Sequence, residues 1–278
     1  MRIPPKYTQI AAITILGAAT VFTVAILIFI LVFVLEKGLP ILSLNFLFTS
    51  PADMGRSGGI FPILIGTVLL PLLAIIVAAP LGIATSVYLV EFTNESRITR
   101  LIRFGTDCLA GVPSIIFGLF GFIFFVTILG MGWSIMSGGL SLAFMILPTI
   151  IRTSEEAIRA VPKAYREVSF SLGASRWQTV RKVVIPNALP GVVTGVVLGI
   201  GRSIEETAVV IFTAGSSLLI PTSVFDSTRT MAVHFYILAR EGLSMENAYG
   251  TAAALIIAVL IVNLTAYFMM HRFIAKRN

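Results

Sequence analysis

Long apolar stretches without charged residues alternate with short charged segments along the chain. Three such stretches cover residues 9–35, 57–90 and 108–151, and the last is long enough for two membrane crossings. Two more apolar segments lie at about residues 188–214 and 247–270. A bilayer core is crossed by about 20 apolar residues in a helix. The pattern therefore predicts an all-α integral membrane protein with six transmembrane helices.

The expected fold is a single membrane domain covering residues 1–278, and glycine-rich residues 130–139 are predicted to connect its third and fourth spans. Composition supports this class, because 57% of the residues are hydrophobic, 12% are charged and the mean hydropathy is +0.98. These values lie outside the usual range of a soluble domain. The six spans are placed at about residues 9–35, 60–90, 108–129, 138–158, 188–214 and 247–270.

Basic residues are concentrated on one side of this topology. Fifteen of the 20 Lys and Arg residues fall on the side of the N-terminus, including Arg2, Lys6, Arg272, Lys276 and Arg277, and four fall on the opposite side. The positive-inside rule therefore predicts that both termini are cytoplasmic. The net charge of +7 is explained by topology, so no nucleic-acid partner is expected.

Three further features are given no functional role. Residues 91–107, which contain three arginines at a spacing of three, form either a basic amphipathic helix at the inner surface or a solvated loop. A lone Cys108 and an absence of Cys/His clusters give no metal site. His234, beside aromatic residues, is expected to be packed in the protein or at the interface.

The fifth span contains small residues at every fourth position. Gly191, Gly195 and Gly199 recur at this spacing, and Ser203 and Thr207 continue the series. Small side chains at i and i+4 let a second helix approach closely. We predict that this stripe packs against another helix of the protein.

The long basic loop at residues 159–186 is predicted to form two short amphipathic helices. Tyr165, Val168 and Leu172 give the first an apolar face, Gly173 ends it, and Pro186 is expected to end the second. Such a pair can enter a groove on a soluble partner. A loop that merely fixes topology is the alternative.

Within this loop the spacing resembles the E-A-A, G, I-x-L-P motif of ABC importer permeases. Glu167-Val168-Ser169, Gly173 and Val183-Val184-Ile185-Pro186 match it in register, with both alanines replaced. The resemblance implies a type I ABC importer permease fold. It also implies that Glu167 and Gly173 belong to a coupling helix that seats in an ATPase subunit.

Further segments, among them "LAGVPSIIFGLFG", "SLGASRW" and "FTAG", resemble phosphate-specific permeases of the PstA type. The resemblance implies a bacterial cytoplasmic (inner) membrane importer in which this chain pairs with a second, homologous permease. It further implies two ATPase subunits that hold ATP and Mg, an external phosphate-binding protein and a link to phosphate-response signalling. Because the chain has no G-x-x-x-x-G-K-[ST] sequence, we expect it to be no enzyme and to bind no cofactor itself.

Three charges interrupt the fifth span: Arg202, Glu205 and Glu206. Each would cost about 2.5 to 3.5 kcal/mol if it faced lipid, so we expect all three to be sheltered. On a helix both carboxylates can reach the guanidinium from the next turn. One interpretation is an internal network that fixes helix register. The other is an anion relay, because arginine presents a planar fork suited to oxyanions.

With the family resemblance, we expect Arg202 to contact a passing phosphate and Glu206 to discriminate its protonation state. The family pattern R-A-x-G-E-T-A-P fits Arg202, Ser203, Glu206, Thr207 and Ala208, but Glu205 replaces its glycine and Val209 its proline. Arg152 matches a family arginine and could receive phosphate near the exit, or it could be an ordinary interfacial arginine. Alternative functions are import of sulfate, molybdate or phosphonate by the same fold, or a proton-coupled carrier that uses both glutamates as a relay.

Overall fold

A computed structural model describes residues 5–94 and 96–275, with the side chains of residues 5–8, 11 and 269–275 excluded. Arg2, Lys276 and Arg277 lie outside the described residues, as do the side chains of Lys6 and Arg272. The predicted all-α architecture is confirmed, and the only described strands form one two-residue antiparallel hairpin. The elements are α1 (Pro5–Gly38), α2 (Leu44–Phe48), β1 (Pro51–Ala52), β2 (Ser57–Gly58), α3 (Phe61–Val87), α4 (Arg97–Ala110), α5 (Ser114–Gly121), α6 (Ile135–Ala160), α7 (Lys163–Ser171), α8 (Arg176–Thr179), α9 (Ile185–Glu205), α10 (Ala208–Thr213), α11 (Met231–Arg240) and α12 (Met245–Ala275).

Three π-helical turns extend these helices: Tyr88–Phe92 after α3, Phe122–Ile128 after α5, and Val180–Val184 between α8 and α9. Among the described residues, five helices are long and apolar enough to cross a membrane, or six if one bent pair counts as a single span. We call the end of the bundle with residues 93–113 and 161–175 the loop end. The end with residues 39–60 and 214–244 is called the hairpin end.

The bent pair corrects the third predicted span. Residues 108–110 belong to α4, whose axis turns by 101° from the segment Ser114–Ile128. The chain breaks at Gly111–Pro113 because proline lacks a backbone donor and restricts the residue before it. Residues 91–107 therefore include an amphipathic helix rather than only a solvated loop, and Ile98, Leu101 and Phe104 on it are exposed.

Helix α6 is the centre of the bundle and packs along α3, α5 and α9. Its apolar side chains interlock with those of α3, where Leu70, Ala74, Leu142 and Ile146 are all fully buried. Helix α1 packs on α12 at the edge and remains largely exposed along its length. The central helices α3, α6 and α9 are thus held by a continuous core, which fixes the residues at their ends.

The fifth predicted span is corrected at both ends. A continuous helix runs from Arg176 to Glu205, and Pro186 lies within it, directly after the π-helical turn Val180–Val184. Pro186 therefore does not end the second helix of the loop. At the other end the helix stops at Glu205, and Glu206 adopts an extended conformation with φ −73° and ψ 125°.

His234 is fully buried in α11 at the hairpin end, as expected of a packed histidine. Its Nδ1 lies 3.2 Å from Nη1 of Arg229, whose Nε donates to the carbonyl of Ser216. Burial and the nearby Arg229 charge lower the pKa of His234 to about 3, so this imidazole is neutral. Within the described part of the chain, no three His, Cys, Asp or Glu side chains converge as a possible metal site.

Candidate translocation and coupling sites

Arg202 and Glu205 occupy the last turn of α9, and both are exposed in the single chain. Their positions are about 60° apart around the helix axis. Both carboxylates could reach the guanidinium on a regular helix, but among the described residues no ion pair joins Arg202 to Glu205 or Glu206. Arg202 interrupts the predicted fifth span, but in the structure it lies near the end of a helix, because α9 ends three residues later.

Glu206 has a different local environment. Its Oε1 accepts hydrogen bonds from the backbone N–H groups of Ala208 at 3.0 Å and Val209 at 3.2 Å. These donors open the short helix α10, and the first N–H groups of any helix lack intrahelical acceptors. Glu206 therefore stabilises the break between α9 and α10. Thr207, half-buried, occupies the junction and leaves the line of the small-residue stripe.

The small-residue stripe of α9 lies against α6. A Cβ built on Gly191 would meet that of Ala157 at 2.5 Å, and one on Gly195 would overlap the Thr153 hydroxyl. A Cβ on Gly199 would touch Ile150 at an ordinary 3.4 Å. Ser203, fully buried, donates its hydroxyl proton to the carbonyl of Gly199.

Arg152 lies on α6 near the level of Gly195, about 10 Å along the bundle axis from the level of Arg202. Its Nε is 3.2 Å from Oδ1 of Asp107 on α4, and both side chains are about half-exposed. The two residues border a cleft of about 260 Å³ between α4 and α6. Arg152 is therefore not a free interfacial arginine in this structure.

The loop end presents the short helix α7, as the sequence predicts, whereas α8 is the first turn of the long helix that continues into α9. The apolar face of α7 is open to solvent, with Tyr165, Val168 and Leu172 at 50%, 60% and 82% exposure. Glu167 is also exposed. Gly173 follows the end of α7 with φ +78°, a left-handed conformation that glycine adopts without strain.

Ser169 and Thr179 join α7 to α8 through a buried hydrogen bond of 2.8 Å between their hydroxyl groups. The sequence interpretation gave Ser169 no role beyond a departure from the second alanine of the motif. The signal available was the hydroxyl itself, because a serine on the buried side of an amphipathic helix needs a partner. The angle between the two helices is thus stabilised by a polar contact within the loop.

Residues 78–278 match the family described as the binding-protein-dependent transport system inner membrane component. The chain belongs to this family of membrane permeases. It is 33% identical over 280 residues to a probable ABC transporter permease, YqgI, of Bacillus subtilis, which covers 95% of both chains. It is 38% identical over 225 residues to the phosphate transport system permease protein PstA 1 of Mycobacterium tuberculosis, covering 80% of this chain and 72% of the relative.

The permease fold is confirmed independently by a solved structure of a bacterial ABC transporter that imports alginate. The match has a TM-score of 0.68 at 16% identity and covers 96% of this chain and 98% of the other. At 16% identity, this match supports the fold alone. Family membership and fold together confirm the predicted multi-pass permease of the inner membrane.

Glu155 is a residue of the permease that the sequence interpretation missed. Its Oε1 accepts from Nε of Arg103 at 2.8 Å and from Nη2 of Arg159 at 2.7 Å. Arg103 belongs to α4, so Glu155 attaches this bent helix to α6. Arg103 and Glu155 are 52 positions apart, and only the fold brings them together.

Proposed function

We propose that this chain is a transmembrane subunit of an ATP-driven importer of inorganic phosphate. The observation that carries the proposal is the exposed Arg202 guanidinium in the last turn of α9, in a chain 38% identical to a phosphate transport permease. A charge that faces lipid within a transmembrane segment is costly. A second, homologous permease that covers this face would place Arg202 and Glu205 at a shared aqueous passage.

In this arrangement Arg202 contacts the passing anion through its planar fork of donors. The sequence-based hypothesis gave discrimination of the protonation state to Glu206. Because one carboxylate oxygen of Glu206 is occupied by backbone donors, we assign that role to the exposed Glu205. A glutamate there accepts a hydrogen bond from protonated phosphate and repels a fully ionised anion. Thr207 lines the break, and Arg152 lies on the exit side.

The remaining subunits follow from the same proposal. Of the two ATPase subunits, which bind ATP and Mg, one docks on this chain at Tyr165, Glu167, Val168, Leu172 and Gly173, so the loop end and both termini are cytoplasmic. An external phosphate-binding protein delivers the anion at the hairpin end. Proteins of the phosphate response could read the state of the assembled importer. The permease itself supplies no catalytic group for ATP hydrolysis.

Copurification and uptake test this function. A tagged chain is expected to bring down an ATPase and a second permease, and vesicles containing the complex should accumulate radiolabelled phosphate only with ATP and the binding protein. Excess sulfate or molybdate should not compete. Uptake that is abolished by an uncoupler and indifferent to an ATPase mutation would support the proton-coupled carrier instead, and competition by sulfate would support another oxyanion.

Glu206 variants separate its charge from its contact with α10. Glu206→Gln keeps an oxygen that can accept from Ala208 and Val209, so we expect phosphate uptake to stay within about twofold of the parent. Glu206→Ala removes the acceptor and should destabilise the break by about 0.5–2 kcal/mol, with a lower yield of folded complex. Uptake by vesicles and thermal melting of the purified complex measure the two effects. Equal loss of uptake in both variants, at unchanged stability, would show instead that the Glu206 charge acts on the anion.

A further inference from the structure

Arg166 on α7 points back into the permease, away from the exposed face that Tyr165 and Val168 form. Its Nε and Nη2 both donate to Oε1 of Glu91, at 3.0 and 2.7 Å. Glu91 lies in the π-helical turn that extends α3. The two side chains are only 15% and 8% exposed, so this ion pair is largely removed from water. Neither residue was singled out from the sequence.

The same guanidinium also holds the end of α6. Its Nη1 donates to the carbonyl of Val161 at 2.6 Å, and its Nη2 donates to the carbonyl of Ile158 at 2.9 Å. The last carbonyl groups of a helix have no intrahelical donor, and a cation is favoured beside them. One side chain of α7 is therefore bonded to the ends of both α3 and α6.

The contacts of Arg166 limit the motion of α7 relative to α6, which are otherwise joined only by a short linker. Only Val161 and Pro162 link α6 to α7, so the backbone alone leaves α7 free to turn about that corner. The guanidinium is planar and presents several donors in fixed directions, and charge-assisted bonds to it are short and directional. With Arg166 bonded to Glu91 and to the α6 carbonyls, a rotation of α7 must carry the ends of α3 and α6 with it.

The position of these helices gives the contact a mechanical consequence. Helices α3 and α6 form the central pair of the bundle, and α6 packs along α9, which ends at Arg202 and Glu205. A displacement of α7 thus reaches the helix that bears the candidate anion site through continuous packing. The alternative route runs along the backbone through the two-residue corner at Val161–Pro162.

We propose that Arg166 and Glu91 form a strut that makes α7 and the loop ends of α3 and α6 move as one body, so that ATP hydrolysis on a docked subunit is coupled to transport. This inference rests on the proposed coupling role of α7. Both are positioning residues, because they touch neither the anion nor the nucleotide. When both side chains are removed, we expect the ATPase subunit to stay attached and to hydrolyse ATP with little phosphate transport.

The test uses the complete reconstituted importer and measures phosphate transported per ATP hydrolysed. Removing one charge alone leaves the other buried without a partner, so the main variant is Arg166→Met with Glu91→Leu. We expect its transport per ATP to fall about tenfold, with the amount of copurified ATPase unchanged. Arg166→Lys keeps the charge but cannot bond all three acceptors at once, and should give an intermediate ratio. Arg159→Met is the control, because Arg159 borders one cleft together with Glu91 and Arg166 but pairs with Glu155 on its own helix.

A cross-link tests the rigid-body motion directly. In a Cys108→Ser background, needed because Cys108 is exposed, Glu91→Cys and Arg166→Cys are joined by a short thiol-reactive linker. Linking should restore transport per ATP toward the parental ratio. The strut is overturned if the linked protein stays uncoupled, if the main variant keeps the parental ratio, or if it loses the ATPase. A parent complex without ATP-dependent phosphate uptake would overturn the proposed function instead.

Discussion

Arg202→Ala will lower ATP-driven phosphate uptake by about 10- to 100-fold, the worth of one hydrogen bond to a charged group, while the complex stays assembled. The variant should fold, because Arg202 is exposed in the single chain and forms no ion pair with any described residue. No buried acceptor is therefore orphaned within this subunit. Initial rates of radiolabelled phosphate uptake in vesicles, at saturating binding protein, measure the effect.

Two comparisons make this result specific. Arg202→Lys keeps a positive charge but loses the planar fork, so it should retain part of the uptake. Arg240→Ala removes an exposed arginine from the hairpin end, where it donates to the Tyr236 hydroxyl, and should leave uptake near the parental rate. Undiminished uptake and selectivity with Arg202→Ala would contradict the anion relay. A structure of the assembled importer with Arg202 facing the acyl chains would contradict it as well.

The limits of sequence interpretation are clearest at Glu206. Hydropathy placed residues 188–214 in one span because the average around three charges stays apolar. The break at Glu206 depends on a carboxylate that accepts two backbone protons, a local contact that competes with helix continuation and does not change hydropathy. The bend at Gly111–Pro113 was missed for a related reason, since it lies within a charge-free stretch. Periodicity locates helices well but does not reveal where a polar contact or a proline turns them.

Contacts between segments far apart in the chain could not be predicted from the sequence, for a different reason. Glu91 and Arg166 are 75 positions apart, and nothing in the residues around either one indicates the other. The exposed face of α7 was predictable because three apolar residues share one side of a short helix. The buried side was not, because an arginine there is indistinguishable by pattern from the other basic residues of the loop. Predicting it required the packing of α3 on α6.

The small-residue stripe was predictable from spacing, and its energetic weight differs from residue to residue. Gly195→Ala is expected to lower the free energy of unfolding by about 1–3 kcal/mol, the usual cost of overpacking. The added methyl group would overlap the Thr153 hydroxyl and lie 2.9 Å from its Cβ. Thr153 cannot easily turn away, because it is β-branched and its hydroxyl is bonded to the carbonyl of Thr149. Helices α6 and α9 must therefore separate, which lowers the melting temperature of the purified complex.

Gly199→Ala is the matched control within the same stripe. Its methyl group would meet Ile150 at 3.4 Å, an ordinary contact, so we expect a change within about 0.5 kcal/mol. Thr153→Ala should partly rescue Gly195→Ala, because it removes the obstructing hydroxyl and leaves only the closer Cβ contact of 2.9 Å, and the double-mutant cycle should show coupling of at least about 0.5 kcal/mol. Equal melting temperatures for Gly195→Ala and Gly199→Ala, or additive effects with Thr153→Ala, would mean that α9 does not approach α6 at Gly195 as closely as the structure shows.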